Sequence, residues 1–486
     1  MNITDPIRRH AQINPQSIAV VRLNGRSVSY RDLDRTIDAV ALRALRLGIA
    51  PGARADLQLG SPYAQLVFAL ALARIGAAGV PKSLPREQTA VCFADAAAAG
   101  NDDAQMVAVD RGWTELPLTS IDERAAPSHQ DGTATCRIFA SSGTTGTPKH
   151  VAVSHNLMAR RVFTKWLSVR APDDLRLICT ISTETNYGFR SALRALWVGG
   201  LIVFATTPDL VVSGIRRYGV NTLVISPGSL QSVLSLLPAD GDPFPSLTTI
   251  EVGGGLLSPR LCEHARQRLC ANVVVSYGST ESGNVASAPV TSLASHAGAV
   301  GYVVPGVEVQ AVDANDAPLP PGTEGILRVR SDNCVDAYFG DPATSAEIFK
   351  GGWFYPGDVG AVSPEGLMTL AGRRSELINR GGEKISPRII EDALLTSEHV
   401  LEVAAFGVPD AMGITQIWAA IVPKSPPVNV ADLDALCRER LAAAAPKYYL
   451  QMNALPRNDA GKVRRDELVR RAVAASEQSP DSFPSR

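Results

Sequence analysis

A field of one charge is missing from this sequence. Forty-seven lysines and arginines stand against 48 aspartates and glutamates, which leaves a net charge of −1, and no long block of like charge occurs. Nucleic acid or an anionic membrane would need a concentrated basic surface, so neither partner is expected. Paired cysteines are missing too. The seven present (Cys92, Cys136, Cys179, Cys262, Cys270, Cys334, Cys437) are scattered, odd in number and never spaced as C-x-x-C. That pattern fits reduced, mostly buried thiols better than disulfides or zinc ligands, and a cytoplasmic location is expected. Long apolar runs are absent as well. The opening MNITDPIRRH has no apolar signal core, and the most apolar later stretches are broken by Gln65, Arg74 and Arg194. Neither a signal peptide nor a membrane span is expected. The final SFPSR is not a peroxisomal address.

The 486 residues are enough for two or three domains. IAVVRL, the Asn24-Gly25 turn and SVSY read as a hairpin. A helix follows from about Arg31, with Ser29 and Asp32 as a capping pair, Leu33, Ile37, Val40, Ala44 and Leu47 at helical spacing, and Gly48 at its end. Ser61-Pro62 opens a second apolar helix that ends near Gly76. From about residue 200, LIVFAT, TLVISP, TTIEVGG and NVVVSYG alternate with helical SLQSVLSLL and SPRLCEHARQRLCA. This βα alternation predicts an α/β fold, a parallel sheet with helices on both faces, whose ligands sit beyond the carboxyl ends of the strands. Tyr277 to Glu281 fall at such an end. Residues 300 to 370 read as a β subdomain, and a compact α+β unit follows a boundary at about Arg374. The expected organisation is a large domain over 1–373, a small mobile domain over 374–473, and a polar, disordered tail over 474–486.

One segment asks for chemistry. FASSGTTGTPKHVAVSH, Phe139 to His155, sets Ser141, Ser142, Gly143, Thr144, Thr145, Gly146 and Lys149 between apolar runs. Small residues let a backbone approach an anion and aim its N–H groups at it, and a lysine adds charge. A solvated turn has the same composition, so the segment alone leaves both readings open. Lys149 follows Pro148 and precedes His150, so no Gly-Lys-Ser/Thr Walker pattern is present. His155 follows a candidate N-cap, Ser154, and reads as structural rather than catalytic.

Five segments in order resemble the adenylate-forming superfamily of acyl-CoA synthetases, firefly luciferase and peptide-synthetase adenylation domains. They are SSGTTGTPK, YGSTE, GWFYPGD, GRRSELINRGGEKISPRIIE and PRNDAGKVRRDEL, spread from residue 141 to 468. The resemblance implies a large adenylation domain, a small mobile domain, and activation of a carboxylic acid by ATP with release of pyrophosphate. By that resemblance the loop from Ser141 to Lys149 holds departing phosphates. Gly254, Tyr277 and Gly278 lie at the nucleotide, with Tyr277 on adenine. Thr280 and Glu281 meet phosphate and Mg²⁺, Asp358 meets the ribose, and Arg373 meets ribose or phosphate. Lys462 orients the carboxylate and the α-phosphate as the catalytic lysine.

Within the superfamily, LINRGGEKISP looks most like the hinge segment of small-acid CoA ligases. That likeness places Gly381, Gly382 and Lys384 near a coenzyme A channel and Ser375 at the hinge. Where relatives carry a Pro-Leu-Phe-His stretch at the acyl pocket, this chain reads ISTETNYGF, with Glu184, Thr185 and Asn186. Buried polar groups need partners, so a small or polar acid is expected. ATP, Mg²⁺ and coenzyme A are the expected cofactors, and the oligomer is left as monomer or homodimer. Loading of a separate carrier protein, or nucleotide binding without catalysis, are the alternatives.

Overall fold

The computed structural model describes residues 1–96, 106–115, 125–141, 148–169, 172–238, 244–255, 257–296, 298–380, 383–410, 414–425, 428–457 and 463–478. The expected opening is present. Ile18–Val21 and Ser27–Ser29 pair antiparallel about Gly25, whose φ of 78° suits glycine. The helix Tyr30–Arg46 starts with the Ser29 side chain accepting from the Asp32 amide (3.1 Å) and buries Leu33, Ile37, Val40 and Ala44. Leu47, placed by spacing on that apolar face, is instead the exposed C-cap, because the helix ends at Arg46 and the chain turns through Gly48.

Two sheets build the large domain. In the larger, Ile18–Val21, Leu201–Val203, Arg176–Cys179, Thr222–Ile225, Thr249–Val252 and Val273–Ser279 run parallel. In the smaller, Met106–Val109, Val91–Asp95, Arg54–Gln58, Ala78–Val80 and Thr135–Ser141 run parallel, and Lys149–Ser154 pairs antiparallel with Thr135–Ser141. The helix Pro62–Arg74 is buried along almost its whole length, which its nearly uninterrupted apolar sequence allows.

For the site, strand β1 is Thr135–Ser141, β2 Lys149–Ser154, helix α1 His155–Ser168 and α2 Asn186–Trp197. Strand β3 is Thr249–Val252, β4 Val273–Ser279, β5 Gly283–Pro289, β6 Asp358–Val362 and β7 Leu367–Arg373. The expected β subdomain differs in one respect. Strand β5 folds back antiparallel on β4, pairs with Ala299–Val303, and through it joins β7 and β6 to the large sheet. Its strands continue one hydrogen-bonded sheet because the tight β4–β5 hairpin carries the ladder onward.

The small α+β domain has Val400–Pro409 antiparallel to Thr415–Pro423, with Tyr448–Gln451 parallel to the latter. Helices Pro387–Leu394 (α3) and Arg465–Gln478 (α4) pack on this sheet. Helix α4 runs to Gln478, past Ala474 where composition predicted the tail to begin, because Leu468 and Ala472 are buried in the small domain's core and hold it. Among the described residues no helix is long and apolar enough to cross a membrane.

Candidate active site

Ser141, the last residue of β1, donates its hydroxyl to Glu281 Oε1 at 2.6 Å. The opening of the Ser/Thr/Gly segment and the acidic residue of YGSTE are thereby joined across 140 positions. Tyr338 donates to the same Glu281 oxygen at 3.1 Å, and burial next to this carboxylate pushes its phenol pKa up. The turn carrying Glu281 is itself clamped. Its carbonyl accepts from Arg161 Nη2 (2.7 Å) and the Val335 amide (2.9 Å), and its amide donates to Ser279 Oγ (3.2 Å). Thr280 sits half-buried in that turn.

Gly278 has a backbone reason to be glycine. A Cβ there would lie 1.9 Å from the Gly283 carbonyl oxygen, where the β4–β5 register shifts. Gly254, just after β3, has a φ of 81° and open space where a side chain would project. It lies beyond the carboxyl end of a parallel strand, the edge at which ligands of such sheets bind.

Asp358 and Arg373 stand directly opposite each other on β6 and β7. Arg373 Nε meets Asp358 Oδ1 at 2.8 Å, and its Nη1 donates to the Pro356 carbonyl at 3.0 Å. The Tyr277 hydroxyl donates to the other Asp358 oxygen. Burial, reinforced by the neighbouring carboxylate, raises the Tyr277 pKa, so the phenol keeps its proton. Three residues from three separate motifs thus form one polar cluster.

Lys149, on β2, reaches Asp341 Oδ2 (2.9 Å) and Thr344 Oγ1 (3.0 Å). Its ammonium holds the Asp341 carboxyl down to about 2. His150 contacts Ser83 Oγ through Nε2 at 3.0 Å, and burial lowers its pKa. His155 is structural, as expected: fully buried, its Nδ1 accepts from the Ile3 amide at 3.1 Å, and burial pushes its pKa down to about 4.

Several expected residues are not brought into view. Ser142, Gly143, Thr144, Thr145, Gly146, Gly381, Gly382 and Lys462 lie outside the described residues. Lys384 is on a short strand, Glu383–Ile385, opposite Asn379. Ser375 lies exposed in the turn after β7. Sequence reading missed Tyr338, Asp341 and Arg161, which carry no local motif and reach the site only through folding.

A Mg²⁺ ion suits Glu281. Magnesium takes one or two carboxylates together with substrate phosphate oxygens and water. The hydrogen bonds of Ser141 and Tyr338 both fall on Oε1, and no cluster of three acidic, histidine or cysteine ligands exists among the described residues. The donor set is that of an ion shared with a phosphate rather than of an all-protein cage.

The chain matches the AMP-binding enzyme family over residues 7–339 and the AMP-binding enzyme C-terminal domain over residues 389–462. It is 28% identical to an indoleacetate–CoA ligase of Aromatoleum aromaticum, covering 98% of both chains. It is 28% identical to enterobactin synthase component E of Escherichia coli, covering 96% of this chain and 93% of that one. Its fold is similar to that of o-succinylbenzoate CoA synthetase from Bacillus subtilis in complex with its acyl-adenylate intermediate, with a TM-score of 0.84 at 22% identity over 96% of this chain and 97% of that one. With the family matched over most of its length, the chain belongs to the AMP-binding enzyme family and is an adenylate-forming, acid-activating enzyme.

Proposed function

We propose that this enzyme joins a small or polar carboxylic acid to coenzyme A in two steps at one site. The observation that carries the reading is the Ser141–Glu281 hydrogen bond, which sets the start of the phosphate-loop segment against the candidate magnesium carboxylate. In the first step a carboxylate oxygen of the acid bonds to the α-phosphorus of ATP, the bond to the bridging oxygen breaks, and pyrophosphate leaves. In the second a thiol attacks the acyl carbon, its proton is lost, and AMP departs. The first step crowds anions together, so it needs oriented donors and cations around the phosphates. When bound, Mg²⁺ would neutralise charge on the phosphate oxygens. Ser141 and Tyr338 orient the Glu281 carboxylate, and Lys149, paired with Asp341, stands at the end of the loop segment. Asp358 has the acceptor capacity to hold ribose hydroxyls, with Arg373 paired to one of its oxygens. Lys462 is assigned to the α-phosphate, and Gly381, Gly382 and Lys384 to the path of the thiol. Coenzyme A is favoured as acceptor by the likeness to CoA-forming relatives.

The test is ATP–pyrophosphate exchange over a broad panel of acids, repeated with coenzyme A for thioester release. Acid-dependent exchange is expected, and Glu281→Gln should lower it by about 10²- to 10³-fold, the usual cost of one electrostatic contact to the transition state. Lys462→Ala should abolish exchange yet leave thioester formation from a supplied acyl adenylate. Exchange without any thioester on coenzyme A would shift the acceptor to a carrier protein; undiminished exchange by Glu281→Gln would reject the site.

A further inference from the structure

Helix α2 joins two parallel strands, Arg176–Cys179 and Leu201–Val203, so its first turns lie at the carboxyl edge of the sheet, where Tyr277 and Glu281 also sit. Its first residue, Asn186, is tied to the Glu281 turn through one side chain: Arg161 donates from Nη1 to Asn186 Oδ1 (3.2 Å) and from Nη2 to the Glu281 carbonyl (2.7 Å). Tyr187 packs its ring where a side chain on Gly253, just past β3, would be, 2.6 Å from the Cβ position. Arg190 follows one turn along, its guanidinium 5.5 Å from the centre of the Tyr187 ring.

Arg190 is only 5% exposed, and its Nε and Nη1 have no hydrogen-bond partner among the described residues. The neighbouring carboxylate is already shared. Glu251 on β3 meets Arg194 at 2.6 Å through one oxygen and Lys165 at 3.0 Å through the other. Among the described residues Lys165 and Arg194 thus share Glu251, and no ion pair reaches the buried Arg190. Burial lowers the Lys165 pKa to about 8 despite its carboxylate partner. The Tyr187 hydroxyl, next to Arg190, is also buried without a hydrogen-bond partner among the described residues. Arg137 also has nitrogens without a partner among the described residues, but its guanidinium lies over the Phe139 and Phe189 rings, 5.6 and 5.2 Å away.

An arginine buried without an anion is costly to the free enzyme and is repaired by whatever anion enters beside it. We propose that the acid this enzyme activates carries a second carboxylate, which pairs with Arg190 and accepts from the Tyr187 hydroxyl. The reading rests on the adenylation activity proposed above. Four residues, about 6 Å of helical rise, separate Asn186 from Arg190, which suits a short dicarboxylic acid whose reacting end lies toward Glu281.

The experiment compares malonate, succinate and glutarate with their monoamides and with monocarboxylates of the same length. It measures pyrophosphate exchange and calorimetric binding on the full-length enzyme, wild type, Arg190→Met and Arg190→Lys. A dicarboxylate should exceed its monoamide in kcat/KM by about 100-fold, as one charge-assisted pair supplies. Arg190→Met should remove that preference, mainly through KM, without lowering Tm in the absence of acid. Arg190→Lys, which loses the forked geometry, should keep part of it. If the Met variant does not fold, the Lys variant decides: an unchanged KM and preference overturn the assignment. Preference of the wild type for neutral acids, or a preference that survives in Arg190→Met, also overturns it and leaves adenylation standing. Exchange with no acid in this or the wider panel, together with Arg190-dependent binding of a dicarboxylate, upholds the assignment and rejects adenylation. Neither exchange nor such binding rejects both.

Discussion

His155 illustrates how a residue beside a catalytic segment can serve stability alone. Its ring is neutral in the fold because burial lowers its pKa from 6.5 to about 4, and its Nδ1 fixes the Ile3 amide. Between those two values the unfolded chain binds more protons, so stability falls as pH drops through that window. At pH 5 the loss from this one group should be about 2 kcal/mol relative to pH 7. Urea unfolding at both pH values should show it, and His155→Gln should flatten the slope; an unchanged slope would assign the acid sensitivity elsewhere. The Asp358 cluster behaves differently. With Arg373 replaced by Met, the buried carboxylate loses its cation, so the expected result is weaker ATP binding by titration together with a lower Tm, since breaking a buried pair costs about 3–5 kcal/mol at the upper end.

The turn between β7 and the small domain has anchors on both sides of one residue. Arg373 is held by Asp358, and the Arg374 amide donates to the Gly357 carbonyl at 2.8 Å, so both belong to the large domain. Glu376 is held by Arg465 of α4 at 2.9 Å, and Arg465 also meets Glu391 of α3 at 2.7 Å, so Glu376 belongs to the small domain. Ser375 lies between those side-chain anchors, in a turn closed by the Glu376 amide donating to the Arg373 carbonyl at 3.0 Å, and is the proposed pivot. Two reactions at one site need two arrangements of groups, and one residue can absorb the backbone change. Proline restricts φ to near −65°, so Ser375→Pro should keep pyrophosphate exchange while thioester formation falls sharply. A folded variant that completes both steps at normal rates would move the pivot.

Across the whole molecule the two domains keep separate cores. One set of buried clusters draws on residues before Arg373, and the clusters around Ile390, Ile417, Phe406 and Trp418 draw on residues from Ile378 onward. Contact between the parts is polar where Arg388 of α3 donates to the carbonyls of Gly298 (3.3 Å) and Leu370 (3.1 Å). Polar contacts of this kind permit relative motion of domains. A fragment of residues 1–374 should therefore fold, with cooperative thermal unfolding, and bind ATP, yet show no acid-dependent exchange because Lys462 is gone. Loss of cooperative unfolding in the fragment would show that the cores depend on each other.

The helix from Tyr30, the capping by Ser29 and Ser154, the parallel strands from Leu201 onward and the order of the motifs were all legible in the linear chain. Each rests on local spacing: an apolar period, a cap one turn from its amide, or a glycine where φ is positive. The end of α4 was misjudged because a polar composition cannot register that Leu468 and Ala472 are buried. The pairing of Ser141 with Glu281, the register that sets Asp358 against Arg373, the contact of Tyr338 with Glu281, and the arginine left over beside Glu251 could not be read in advance. Those depend on strand order and register, which bring together side chains tens to hundreds of positions apart. Charge balance in a buried site is a sum over neighbours, and only folding decides who the neighbours are.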